Sequence, residues 1–260
     1  MSPMPARVFH YHACAHAFGA NFTRPFHHQI DVQAQSALPI TGGHGHSRVD
    51  DFEFCEFIKF KHGHSHVSGG HQADDDTHNT LATSVLEHLN MFNVLTADRI
   101  VSRLYSKHEA NAREGDITWL GSRIDNLQIG GIPIHLELNL PLLNMIPTFE
   151  KAYTAFKDGG EFQNAAKDPF GAKHDLTTKD INGVFLCSIF KQITVEHKSE
   201  DIKPVGTHGL YVRGFGTVFF GELLLKHSEK TLTMLRFKLG STTSGSGSGG
   251  GSRTNGTGYP

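Results

Sequence analysis

The chain is poor in cysteine: Cys14, Cys55 and Cys187 are the only three, odd in number and far apart, with no C-x-x-C pair. That excludes a disulfide framework and a zinc ribbon. Charge is also sparse, with 19% charged residues and a net charge of −2 when the histidines are neutral. No standing basic patch for nucleic acid follows from such a balance. No apolar run approaches the ~20 residues of a membrane-spanning helix, and the opening Met-Ser-Pro-Met-Pro-Ala-Arg lacks the apolar region of a secretory signal. A cytoplasmic protein is the default expectation, with an extracellular or surface location left open. G-x-S-x-G, P-loop, G-x-G-x-x-G and H-E-x-x-H signatures are all missing, so no nucleotide or flavin motif is present.

What the chain does have is glycine (28 residues) and phenylalanine (19, against one tryptophan), a balance that fits a folded, strand-rich protein. Short aromatic or β-branched runs at 7–13 and 26–34 read as strands. The alternation over 51–61 places Phe52, Phe54, Glu56, Ile58 and Phe60 on one face and reads as the clearest strand. Continued in register, His62, His64 and His66 extend that apolar face, although Gly63 is a point where the strand breaks. Segments 77–89 and 93–108 are read as strands because Thr, Val and Ile recur. Two apolar runs flank Gly130-Gly131 within 117–139 and predict a hairpin.

A helix is predicted from the N-cap Thr148, with Phe149, Ala152, Tyr153 and Phe156 at helical spacing and Gly159-Gly160 as its end. A second short helix is expected over 161–167. Strands resume at 183–197, 209–212, 217–226 and 231–239, the last two as a hairpin. The fold expectation is therefore mainly β, a barrel, a sandwich or an α+β domain, with a helical insertion at 147–168. One β-rich domain covers 1–240. Beyond it the Gly/Ser-rich composition of 241–260 predicts a flexible tail, either a native terminus or an added linker.

Most of the nineteen histidines lie in the first 78 residues, and seven have H-x-H spacing: His10/His12, His44/His46 and His62/His64/His66. On a strand, alternate side chains point to one face roughly 6.5–7 Å apart, so such imidazoles converge on one metal ion or line one cleft. Zn, Cu, Ni or Fe are the ions imidazole suits. A carboxylate such as Glu56, Asp50 or Asp51 is the candidate third ligand, and Glu56 the candidate base if the protein is an enzyme. The bland reading is a solvated set of histidines in Gly-rich loops that binds metal only as a purification tag does.

Two resemblances add to this. Thr-Gly-Gly-His44-Gly-His46 in a strand-rich chain resembles the first metal motif of the cupins, which implies a barrel metalloenzyme. The glutamate that should follow is replaced by Val49, Asp50 and Asp51, and no second cupin motif is present. The runs Val94-Leu-Thr-Ala-Asp-Arg-Ile-Val101, Leu120-Gly-Ser, Asn126-Leu-Gln-Ile-Gly-Gly-Ile-Pro-Ile134 and Gly214-Phe-Gly-Thr-Val218 are similar to a series in β-rich bacterial proteins, including surface-associated ones of the choice-of-anchor type. That likeness implies a scaffold for display or assembly.

Three functions follow as expectations. The first is a non-enzymatic structural, assembly or surface-display protein whose histidines bind divalent metal, self-associating into a homo-oligomer through exposed β-edges. The second is a cupin-like or other β-barrel metalloenzyme using a His/carboxylate site. The third is a pH-responsive binding module, recognisable by histidines set beside acidic partners.

Overall fold

A computed structural model describes residues 8–25, 27–166, 184–227, 229–240 and 244–259. Arg7, Phe26, Lys167, residue 168, Gly183 and residues 241–243, which bound several expected elements, lie outside the described residues. The first described elements are β1 (Val8–Arg24), β2 (His28–Gln33), β3 (Ser36–Ala37), β4 (Gly43–Phe54) and β5 (Ile58–Gln72). Then come β6 (Thr77–Met91), β7 (Leu95–Glu109), β8 (Asp116–Thr118), β9 (Arg123–Asp125), β10 (Gln128–Ile129) and β11 (Ile132–Leu138). Three short helices follow, α1 (Leu140–Met145), α2 (Phe149–Asp158) and α3 (Glu161–Ala166). The last strands are β12 (Val184–Ser188), β13 (Phe190–Val195), β14 (Ile202–Val205), β15 (Gly209–Val212), β16 (Gly216–Lys226), β17 (Glu229–Leu239) and β18 (Ser244–Tyr259).

These strands form two antiparallel sheets stacked as a sandwich, and neither closes into a barrel. The first runs β14-β15-β16-β17-β18-β1-β2, with β12 beside β16 and β3 beside β1; the second runs β13-β11-β10-β7-β6-β5-β4, with β8 and β9 beside β7. The main core lies between them and includes Phe18, Leu86, Ile100, Phe220 and Phe237. A smaller core of Tyr11, Ala13, Ala15, Leu38, Val67 and Ala82 fills one end. Cys187 is a buried core residue, and burial pushes its thiol up to about 12.

A crease crosses each sheet. In the second sheet the ladder has no pair at Asp51–Lys61 or at His88–Asp98, and Asp51 and His88 take left-handed φ values of 51° and 54°. In the first sheet the same gap falls at Ala17–Gly250 and Gly221–Met234, with Gly250 and Gly221 at φ 67° and 61°. The period-2 alternation slips by one residue at this line. On β5 the buried side is Ile58 and Phe60, then Gly63, Ser65 and Val67; on β7 it is Leu95 and Ala97, then Ile100, Ser102 and Leu104. A one-residue slip sends every later side chain to the other face.

The crease corrects two expectations. His62, His64 and His66 do not extend the apolar face of Ile58 and Phe60; beyond Lys61 their parity points outward. Residues 51–61 are not one strand either. Cys55 and Glu56 have left-handed φ values of 47° and 57°, and the Phe57 N–H donates to the Phe54 carbonyl at 2.9 Å, which makes a tight turn between β4 and β5. The alternation of phenylalanines continued straight through that turn and hid it.

The Gly/Ser-rich segment is the third correction. It is the strand β18, paired along its length with β1 on one side and, over 245–255, with β17 on the other. Two hydrogen-bond ladders take the place of apolar burial. Neighbouring rings lean over its glycines: a Cβ at Gly247 would lie 2.5 Å from Phe237, and one at Gly251 would lie 2.1 Å from His16. Its hydroxyls join the two sheets, Ser252 to Ser102 at 2.7 Å and Thr254 to Thr80.

Other expectations hold. Segment 77–89 lies in β6 and 93–108 in β7 apart from Asn93 and Val94, which belong to the turn before it; Gly130 and Gly131 turn the β10–β11 hairpin, and β16–β17 form the expected hairpin. Thr148 is the N-cap of α2, its Oγ1 accepting from the Lys151 N–H, and Gly159 closes the helix. The helical insertion starts earlier than 147, because α1 precedes it. Among the described residues no helix is long and apolar enough to cross a membrane.

Candidate functional site

Five of the seven H-x-H histidines share one surface. His44 and His46 on β4 and His62, His64 and His66 on β5 all project from the outer face of the second sheet. His46 lies directly opposite His66, Arg48 opposite His64, and Asp50 opposite His62. His44, His46 and His66 are exposed, while His62 and His64 are half-buried. The next strands continue the face with Glu87 opposite His62 and Val85 opposite His64, then Arg99 opposite Glu87.

His62 is committed to a partner. Its Nδ1 lies 2.7 Å from an Asp50 carboxylate oxygen, and Arg48 Nε donates to the same carboxylate at 2.8 and 2.9 Å. Those two hydrogen bonds hold the Asp50 carboxyl below its ordinary range. Burial lowers the His64 pKa, against the opposing charge of Glu87. His44, His46 and His66 are therefore the most open donors of the face. A shallow hollow of about 390 Å³ adjoins them, lined by Gly43, Ser68, Gly70, Leu81, Arg103 and Tyr105.

His10 and His12 are elsewhere. Their neighbours Tyr11 and Ala13 are buried in the small core, so His10 and His12 point outward from the first sheet, on the opposite side of the sandwich. Glu56 is at the tip of the β4–β5 turn, roughly 30 Å of strand from His44 and His46. Asp51 sits in the crease. Among the described residues, no group of three or more His, Cys, Asp and Glu side chains is arranged to hold a metal ion.

A family model described as a domain of unknown function (DUF8256) matches residues 9–226. The chain belongs to this family. No curated protein and no solved structure matches this DUF8256 chain.

Among the described residues, three titratable groups outside the H-x-H set stand out, each with a buried member. His71, His78 and His108 form a row across β5, β6 and β7 on the inner face, at the open end of the small core. The Tyr11 hydroxyl is 2.7 Å from His78 Nδ1, Phe9 stacks on His78 at 4.0 Å, and His71 Nε2 meets Asp76 at 2.9 Å. His108 is buried, with no well-aligned hydrogen bond at either ring nitrogen. Burial lowers the pKa of His78 and of His108, and for His78 the neighbouring His71 and His108 add to it. Folding the chain about the acidic turn 74–76 sets His71 against His78, which is the one trace of this row in the sequence.

The second cluster is His208–Glu222–Arg236. Glu222 is buried, its carboxylate accepting from Arg236 Nη2 at 2.6 Å and lying 3.2 Å from His208 Nε2. Burial alone would raise its pKa, but hydrogen bonds from Arg236 and His208, with their charges, take it down to about 2. The third is Lys230, almost fully buried, whose ammonium donates to the carbonyls of Ile117, Ile146 and Pro147 at 2.9, 2.5 and 2.7 Å. Burial lowers its pKa to about 7. All three of its protons are used, so it fastens the α1–α2 junction and β8 to the first sheet. No local sequence pattern marks either cluster, since their members are brought together only by sheet pairing and by the crossing of loops.

Proposed function

We propose that this chain is a non-catalytic β-sandwich module of the structural or assembly kind, which holds divalent transition-metal ions on the histidine face of its second sheet. The observation that carries this is the direct cross-strand opposition of His46 and His66, with His44 and His64 two residues along the same face. Directly opposed side chains on antiparallel strands have Cβ atoms about 4.5–5.5 Å apart, and imidazole pairs at that spacing suit Zn, Cu, Ni or Fe. A two-histidine pair with no third protein ligand gathered beside it among the described residues is a capture site, short of the three protein ligands that a catalytic metal centre holds. The metalloenzyme reading loses its base, because Glu56 is at the far end of the hairpin from His44 and His46.

The test is calorimetric titration of untagged protein with Zn²⁺ and Ni²⁺, repeated with H46A/H66A. Binding lost in the double variant, with the circular dichroism spectrum unchanged, supports the reading. Binding unchanged in that variant, or absent from the wild type, overturns it.

A second reading, a pH-responsive binding module, is favoured by the carboxylates set within 4 Å of His62, His71, His135, His197, His208 and His227. Protein that binds no metal but binds a polyanion resin at pH 5 and not at pH 7.5 would select it.

A further inference from the structure

We propose that β4 is the pairing edge for a second copy of this chain, and that His44 and His46 of the two copies together form a four-histidine divalent-metal site. This rests on the histidine face being the metal-binding surface. In the second sheet the strand order ends at β4, so β4 presents one edge with no strand beside it among the described residues. An unpaired edge is a template for another chain. The simplest closed arrangement of two identical edges is antiparallel about a two-fold axis.

The residues of β4 select the register. Asp51 has a left-handed φ of 51°, which interrupts any ladder there and confines pairing to the half of β4 before it. Over residues 43–47, before Arg48 and Asp50 pair with each other and Val49 turns to the core, the inward side chains are Gly43, Gly45 and Ser47, none bulky, and Gly45 lies over the Ala37 carbonyl and Val67 of its own sandwich. The outward side chains are His44 and His46, both exposed. With the axis at Gly45, His44 stands opposite His46 of the second copy, and His46 opposite its His44.

The four Cβ atoms then form a rectangle of roughly 5 by 7 Å on one face. Imidazole rings rising from it meet above its centre at the spacing a tetrahedral ion of the Zn²⁺ type requires. Within one chain no three such ligands are gathered among the described residues; the second copy supplies the missing ones. Ile40, in the connection that leads into β4, is exposed at 58% accessibility and is the apolar margin nearest the start of that strand.

Pairing of one short half-strand buries far less than the about 1,200 Å² of a stable interface. The association is therefore metal-dependent and reversed by a chelator.

The experiment is sedimentation equilibrium on untagged full-length protein, metal-free, with Zn²⁺, and with Zn²⁺ followed by EDTA. Bound zinc is measured on the same samples. We expect the mass to double with zinc at one ion per two chains, to return with EDTA, and to stay at one chain in H44A/H46A, whose exposed positions leave folding intact. Co²⁺ in place of zinc should give the intense visible absorption of a tetrahedral site in the dimer alone. Zinc bound while the mass stays at one chain overturns the four-histidine site and leaves the histidine face standing. A dimer that forms without metal, or that survives H44A/H46A, overturns it as well. No zinc bound at all removes both readings.

Discussion

The Tyr11 hydroxyl on β1 lies 2.7 Å from Nδ1 of His78 on β6, so one side-chain hydrogen bond ties the first sheet to the second at the open end of the sandwich. Around it the small core is half alanine and carries little apolar area, which makes this end the one most readily opened.

Acid should act here first. His78 and His108 have pKa values lowered by burial, so the folded protein keeps them neutral where the unfolded chain is already protonated. The unfolded state then binds more protons, and stability falls as pH drops below the unperturbed 6.5. We expect the calorimetric Tm to decline between pH 7.5 and pH 5, with a shallower slope in H108L. Equal slopes in the two proteins would place the acid sensitivity elsewhere.

Glu222 sets a second, lower window. Its folded pKa of about 2 lies below the ordinary 4.5, so its contribution is full above 4.5 and is lost as pH falls from there through 2. That difference corresponds to about 3 kcal/mol. Glu222→Gln, which leaves Arg236 and His208 without their carboxylate, should cost about 3–5 kcal/mol in urea unfolding at pH 7. The penalty should shrink towards pH 2. A penalty independent of pH would contradict the ionic account.

Lys230→Met keeps the length of the side chain and removes the donor to three buried carbonyls. We expect a loss of about 3–5 kcal/mol, from unsatisfied acceptors rather than from a cavity. Hydrogen exchange should show the loosening in α1, α2 and β8. A uniform rise in exchange across both sheets would argue against a local clamp.

The crease glycines can be separated from ordinary turn glycines. At Gly221, φ is +61° and a Cβ would lie 2.6 Å from the Phe190 ring, whereas Gly130 has φ +59° with open space around it. Gly130→Ala should cost about 1 kcal/mol, the backbone strain alone. Gly221→Ala adds a collision and should cost about 2–4 kcal/mol. Equal midpoints in denaturant would show that the crease tolerates side chains.

Local chemistry made much of this molecule legible in the sequence. The Thr148 cap and the Gly159 stop bound α2, Gly130-Gly131 turned a hairpin, and H-x-H spacing kept His44 with His46 on one side of β4 and His62, His64 and His66 together on one side of β5. Each of these depends on the covalent geometry of a few consecutive residues. Tertiary structure decided the rest. It chose which face the histidines occupy, because a crease running across several strands slips the alternation and no single strand records it. Two hydrogen-bond ladders, and rings from neighbouring strands lying over its glycines, order a Gly/Ser segment whose own composition gives it nothing to bury. The same long-range pairing gathered His71, His78 and His108, and set Lys230 beneath Ile117, Ile146 and Pro147. Distances between such residues are fixed by sheet register, a property of the whole chain.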